Sequence, residues 1–265
     1  MRPVPAIVIA AFLALGSESI LAQETRPARP GGSQAKQRPQ QRERNRDRQQ
    51  REEREERERF TKQGVQVGQP VPDLKVFDLE GEEAPIASAW KDKPVLIVTA
   101  SLTCPVAREK CPQLKPVIES FSEQLHVVVL YTIEAHPTGE DSPYRPGRGP
   151  WVGPANEREK ILHPQPKSIE DRIALAQDMR DRLTLGESVT WLVDTMDNEA
   201  WKKLGGGPNM GLLIDTQGKV VAKHGWLDPK SMRESVEAMF KQAPGAGQRP
   251  ANTEPPTTQP SVKGV

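Results

Sequence analysis

Three short apolar runs, Val95–Ser101 (VLIVTAS), Val127–Tyr131 (VVVLY) and Val189–Val193 (VTWLV), constrain this chain more than any other feature. Runs of this length, rich in β-branched residues, read as strands covered on both faces. Helical stretches separate them. Cys104-Pro105 opens one that runs to about Ser122, with proline early in the helix, where its missing N–H costs nothing. Ser168 opens the next, and Ser168 and Asp171 have the spacing of a capping box. Alternating strands and helices predict an α/β fold with a mostly parallel sheet covered on both faces. Leu74–Leu79 alternates and meets the Glu80-Gly81 turn, as an earlier strand would. Met210–Ile214, the turn at Gln217-Gly218 and Val220–Lys223 read as an antiparallel edge hairpin. Asp228-Pro229 then starts a last helix to Phe240. Residues 137–166 read as one long Pro/Gly-rich loop.

Composition divides the 265 residues into four parts. Residues 1–22 have the layout of a signal peptide: Arg2, the apolar run Ile7–Leu15 and a small-residue end at Ala22. That run is shorter than the ~20 residues a membrane span needs, so the chain is expected to be exported, periplasmic or secreted. Residues 23–63 contain one aromatic, Phe60, and almost no aliphatic side chain, so they are expected to form no core. Their Arg/Glu spacing supports a solvated helix from about Gln41 to Thr61. This arm is either a spacer or, through residues 26–59, a contact to an anionic envelope surface. Residues 64–241 form the folded domain, and residues 242–265 are a disordered Pro-rich tail. With 37 Lys+Arg against 36 Asp+Glu, no specific nucleic-acid partner is expected. Two cysteines and four histidines exclude a disulfide scaffold and a polynuclear metal site.

In sheets of this kind the ligand lies beyond the carboxyl ends of the parallel strands. Ser101-Leu102-Thr103-Cys104-Pro105 falls there. A thiol at a helix N-terminus faces unpaired N–H groups, so Cys104 is expected to titrate below the ordinary ~8.5 and to act as a nucleophile. Tyr131, Glu134 and His136 follow the neighbouring strand and would project beside it, His136 as general acid or base. Asp194, Asp197 and Asn198 follow a third strand and read equally as site residues or as caps of the next helix. Cys111 lies two helical turns from Cys104, ~10.5 Å along the axis. A disulfide needs Cα atoms within about 7 Å, so Cys111 is either a resolving thiol that pairs after unwinding or a packed one. Pro208 precedes the hairpin and is either a cis proline shaping the site or a loop proline. Cys104, His136 and Glu134 lack any short metal-ligand spacing, so no metal is expected.

A strand, a thiol at a helix start and a proline before a closing ββα together resemble the thioredoxin fold. Val67-Gly68-Gln69-Pro70-Val71-Pro72-Asp73-Leu74 resembles the opening of redoxin and peroxiredoxin-like domains. Ser101–Pro105, Leu130-Tyr131-Thr132-Ile133-Glu134-Ala135-His136-Pro137 and Val193-Asp194-Thr195-Met196-Asp197-Asn198 resemble the iodothyronine deiodinase family. The resemblance covers about Val67 to Phe240. It implies that Cys104 stands where animal enzymes carry selenocysteine, and that Tyr131, Glu134 and His136 match the family's active-site residues. Three positions depart from these patterns: Pro166 stands at the family's second histidine, Met210 at its carboxylate-binding arginine, and Ile97 where peroxiredoxins carry proline.

These readings converge on an exported thiol oxidoreductase acting on a peroxide, a disulfide or a halogenated aromatic, with dehalogenation the least expected. No resident cofactor is required; an external thiol, or Cys111, would reduce Cys104. Ser101, Thr103, Pro208, Asp194, Asp197 and Asn198 would shape the site. The competing reading is a non-catalytic thioredoxin-like domain tethered to the envelope by its charged arm.

Overall fold

A computed structural model describes residues 39–242. The signal-peptide segment, the first part of the charged arm and the Pro-rich tail lie outside the described residues. The elements in order are α1 (Pro39–Lys62), β1 (Lys75–Phe77), β2 (Glu83–Pro85), β3 (Val95–Ala100), α2 (Pro105–Lys110), α3 (Lys115–Phe121), β4 (His126–Tyr131), α4 (Pro154–Glu159), α5 (Ile169–Leu183), β5 (Val189–Asp194), α6 (Glu199–Leu204), β6 (Gly211–Ile214), β7 (Val220–His224) and α7 (Pro229–Gln242).

Among the described residues the strands form one seven-stranded sheet in the order β2-β1-β5-β4-β3-β6-β7. The parallel character is concentrated at its centre, where β3 pairs with β4 and β4 with β5. The flanking pairs, β1 with β5 and β3 with β6, are antiparallel. All six residues of β3 are buried, which is why its sequence carries no polar alternation. Leu96, Val98 and Ala100 pack with α2, α3, α5 and α7, whereas Val95 and Ile97 join Ile86, Trp90, Leu204 and Met210 on the opposite face. This two-faced α/β arrangement, with β3-β4 parallel and the closing β6-β7 hairpin antiparallel, is thioredoxin-like.

Several local expectations need correction. The helix read from Cys104 to Ser122 is broken: α2 ends at Lys110, Cys111–Leu114 forms a tight 3₁₀ turn, and α3 follows. Pro112 and Pro116 supply no N–H to a helical ladder, which accounts for the break. The loop 137–166 contains α4, opened by Pro154 at its first position. The peptide bond before Pro208 is trans, as are all those among the described residues. Ser168 does cap α5, its hydroxyl accepting from the Asp171 N–H at 3.1 Å.

The helix of the charged arm spans Pro39–Lys62 and carries i,i+4 ion pairs such as Arg48–Glu52 and Glu58–Lys62. Exposed pairs of this kind contribute only ~0.3–0.5 kcal/mol each. Its last turn is not solvated all round, because Phe60 is 3% exposed and packs on the domain. The chain then crosses to the outer edge of β7. There Gly68 N–H donates to Val220 O, Val220 N–H to Gln69 O, and Pro70 bridges Lys219.

Candidate functional site

Cys104 stands between β3 and α2 with extended backbone, and its Sγ accepts the Ala107 N–H at 3.4 Å as the N-cap of α2. This is the geometry expected from the sequence, but its electrostatic consequence is reversed. The thiol is 1% exposed, and burial pushes it up to about 11 despite the helix N–H donors and the Arg108 guanidinium, which lower it. The helix end offers partial charges, whereas burial removes all the water that would solvate a thiolate.

Glu134 does not meet the thiol. It is fully buried, and its carboxylate accepts from Thr103 N–H at 2.8 Å, from Thr103 Oγ1 at 2.5 Å and from the Tyr131 hydroxyl. Tyr131 Oη in turn accepts the Leu102 N–H at 3.0 Å. Burial raises the Glu134 carboxyl against the pull of these donors, and burial with the adjacent carboxylate raises Tyr131 well above its ordinary range. Thr103 Oγ1 accepts the His136 N–H at 3.0 Å, and Ser101 Oγ accepts the Ala135 N–H at 3.2 Å. Tyr131, Glu134, Ser101 and Thr103 therefore lock the loop before Cys104 to the loop after β4.

His136 lines the same cavity as Cys104, and Glu56 of α1 borders it too. Its Nδ1 lies 3.1 Å from the Trp151 carbonyl, which assigns the proton to Nδ1 and leaves Nε2 as an acceptor. Burial lowers the imidazole below its ordinary value, so the ring is neutral at pH 7. The cavity is about 50 Å³ and is lined besides by Phe60, Tyr144, Arg145, Trp151, Pro208 and Trp226. Trp151 stacks edge-on with His136 at 4.2 Å, and the Arg145 guanidinium lies 3.5 Å over the Trp151 ring.

Sequence reasoning missed the strap that holds this site. Arg108 Nη1 donates to Leu102 O at 2.5 Å, and its Nη2 donates to Asn156 Oδ1 at 2.8 Å and pairs with Glu159 at 2.9 Å. Asn156 Nδ2 donates to Thr103 O at 2.8 Å. Gln165 clasps both backbone groups of Glu134, at 3.0 and 2.7 Å. The Gly153-Pro154 pair, a helix-start signal, was the available cue to α4.

Asp194, Asp197 and Asn198 are not brought to the thiol. The buried Asp194 carboxylate accepts the N–H groups of Thr195, Ala200 and Trp201, which caps α6. Asp197 takes the Thr195 hydroxyl at 2.5 Å, and Asn198 adopts a left-handed conformation at the start of α6. The buried Arg172 donates to the carbonyls of Asp194 and Thr195 at 3.2 and 2.6 Å. Cys111 is a free, fully buried thiol 3.9 Å from Asn209 Nδ2. Burial and the neighbouring Cys104 push it up to about 12.

Among the described residues no group of three or more His, Cys, Asp or Glu side chains could hold a metal ion, and no helix is long and apolar enough to cross a membrane. Human type II iodothyronine deiodinase is 26% identical over 112 residues, covering 42% of this chain and 37% of that enzyme; the rat enzyme is 25% identical over the same length. The chain thus spans well under half the length of these relatives. Among solved structures, the thioredoxin domain of a Bacteroides vulgatus thiol-disulfide oxidoreductase is 16% identical, covers 66% of this chain and 99% of that domain, and has a TM-score of 0.45. A secreted Mycobacterium tuberculosis disulfide oxidoreductase is 14% identical, covers 63% of this chain and 96% of its own, with a TM-score of 0.41. The iodothyronine deiodinase family model matches residues 53–236, which take in α1's last turns, the whole sheet and every residue around the buried thiol. By that match over more than half its length, the chain belongs to the iodothyronine deiodinase family.

Proposed function

We propose that this chain is an exported thiol oxidoreductase in which Cys104 is the nucleophile and a peroxide, a disulfide or a halogenated aromatic is the substrate. The single observation that carries the reading is the shared cavity. The thiol at the head of α2 and a neutral imidazole with its Nδ1 proton tied back open on the same small cavity. His136 Nε2 takes the thiol proton, and Cys104 sulfur attacks a peroxide oxygen. The S–O bond forms, the O–O bond breaks, and the departing oxygen receives the proton from His136. The resulting sulfenic acid condenses with an incoming thiol, releasing water and leaving a disulfide that a second equivalent of thiol reduces. Cys111 is the internal candidate for that thiol. The short α2 and the prolines after it make the intervening segment inexpensive to unwind.

Tyr131, Glu134, Thr103 and Ser101 act as positioning residues in this scheme. The closed site is its resting form, because burial raises the thiol well above its ordinary range and keeps it protonated at pH 7. Water or substrate entering the cavity relieves the burial and leaves the helix N–H groups and Arg108 to favour the thiolate.

The test is turnover of hydrogen peroxide, an aryl disulfide and an iodinated phenol by the full chain with excess dithiol. Cys104→Ser is expected to abolish turnover, and His136→Ala to reduce it ~10²-fold or more. Retention of the rate in Cys104→Ser ends the reading. Burial of the thiol also favours a second reading, a non-catalytic thioredoxin-like binding domain. Absence of turnover on all three substrate classes, with Cys104 resisting alkylation up to pH 10, would select it.

A further inference from the structure

Phe60 is the one aromatic in residues 23–63, and it sits where a spacer would need no apolar side chain. Its neighbours Glu58 and Lys62 stay exposed, while Phe60 is 3% exposed. Its ring meets Tyr144 edge-on at 5.8 Å and Trp226 at 6.5 Å. It lines the cavity above Cys104 together with His136 and Trp151.

The turn that carries Phe60 is fixed by backbone contact. A Cβ on Gly225 would lie 2.2 Å from Thr61 N and 2.6 Å from Phe60 C, and one on Gly64 would lie 2.4 Å from Lys203 O. Neither contact survives a larger residue, since the atoms met are backbone. Lys223 Nζ, buried and facing no carboxylate, donates to the carbonyls of Gln63 and Val65 at the end of α1. The Gly225 N–H donates to Thr61 Oγ1 at 3.3 Å. Another part of the cavity wall is different in kind: Arg145 is exposed to solvent.

We propose that Phe60 is the specificity-determining wall of the site, limiting by size what reaches the Cys104 sulfur. The inference rests on Cys104 being the reacting group. A cavity of about 50 Å³ holds one or two water-sized molecules, so with Phe60 seated the site takes a compact reactive group such as a hydroperoxide. A ring-sized group enters only where the phenyl is absent or displaced. The arm, read from sequence as a spacer or an envelope contact, thus contributes to the pocket.

Alkylation tests this without assuming any substrate. In full-length Cys111→Ser protein, Cys104 is reacted with iodoacetamide and, separately, with a pyrenyl maleimide, and the ratio of the two rates is compared between variants. Phe60→Ala is expected to raise the bulky-to-small ratio about tenfold or more, with Phe60→Leu between it and the parent. Phe121→Ala removes a partly buried phenyl of equal size that stacks on Phe240, away from the cavity, and is expected to leave the ratio unchanged. A ratio that is the same in the parent, Phe60→Leu and Phe60→Ala overturns the proposal. So does a ratio that rises equally in Phe121→Ala, which would mean general loosening. Should Phe60→Ala fail to fold, the parent-to-Phe60→Leu comparison decides alone. A Cys104 that reacts with neither reagent in any variant overturns the functional reading itself.

Discussion

Replacing Glu134 by Gln keeps the shape of the locked loop and changes only its charge and donor count. In the native protein one carboxylate oxygen takes the N–H and hydroxyl of Thr103 and the other takes the Tyr131 hydroxyl. A glutamine has one acceptor oxygen. Turned toward Thr103, it leaves its NH₂ against a Tyr131 hydroxyl that already accepts from Leu102, so one buried donor loses its partner. A buried unsatisfied donor costs about 1–3 kcal/mol, which outweighs the gain from no longer burying a charge whose donors are in place. For a domain of this size that is a fall of about 3–10 °C in Tm. The effect on the thiol has the opposite sense: the Glu134 charge raises Cys104, so the variant's alkylation midpoint should fall below that of the parent. The pH dependence has a definite sign. Burial raises the folded Glu134 carboxyl above its unfolded value, so the folded state binds the proton more tightly. Native stability is thus reduced as pH climbs through the unfolded value of ~4.5 to the higher folded one, and the gap to Glu134→Gln narrows over that interval. Denaturant titrations from pH 4 to 8, with alkylation profiles alongside, read all three. Equal stability at every pH together with an unchanged thiol midpoint would falsify the placement of the charge in this network.

Other substitutions separate the site from its scaffold. Asp194→Asn should cost about 1–2 kcal/mol by weakening the cap of α6 while leaving the Cys104 alkylation profile in place; a shifted profile would return Asp194 to the site. Arg108→Gln should raise the Cys104 midpoint, because the guanidinium is a lowering influence on the thiol; a lower midpoint in the same titration contradicts that. Cys111→Ser, treated with one equivalent of peroxide, should retain a sulfenic acid trapped by dimedone, whereas the parent loses two hydrogens by mass and leaves no trap adduct. Dimedone adducts of equal yield in both would remove Cys111 from the cycle.

The sheet was legible because its central strands are buried on both faces and so read as apolar runs; β3 and β4 match those runs to within a residue at each end. The break after Lys110 was written in Pro112 and Pro116, but the apolar periodicity of Val106, Val117 and Ile118 continues across it and masks the interruption. Cys104 and His136 could be singled out as candidates because each follows a strand of the parallel pair. Glu134 could be singled out in the chain, yet its contact to Thr103 was invisible, since it forms only through the β3–β4 register. The thiol's protonation was misread for a physical reason. The helix start is local and visible, while the covering by Phe60, Tyr144 and Trp226 comes from three distant segments. No linear pattern announces α4 clamping the loop through Asn156, beyond a glycine and a proline.

The edges of the sheet carry a consequence for behaviour at high concentration. At one end β2 has three residues and finishes on Pro85, which offers no N–H to a newcomer. At the other, Gly68–Val71 already occupies the outer row of hydrogen bonds at Val220 and Gly218, and the exposed Lys219 places a charge along that margin. A second chain that tried to extend the sheet would meet a proline at one side and a filled, cationic rim at the other. Self-association by strand addition, the common route from an α/β domain to aggregates, is thereby closed at both margins.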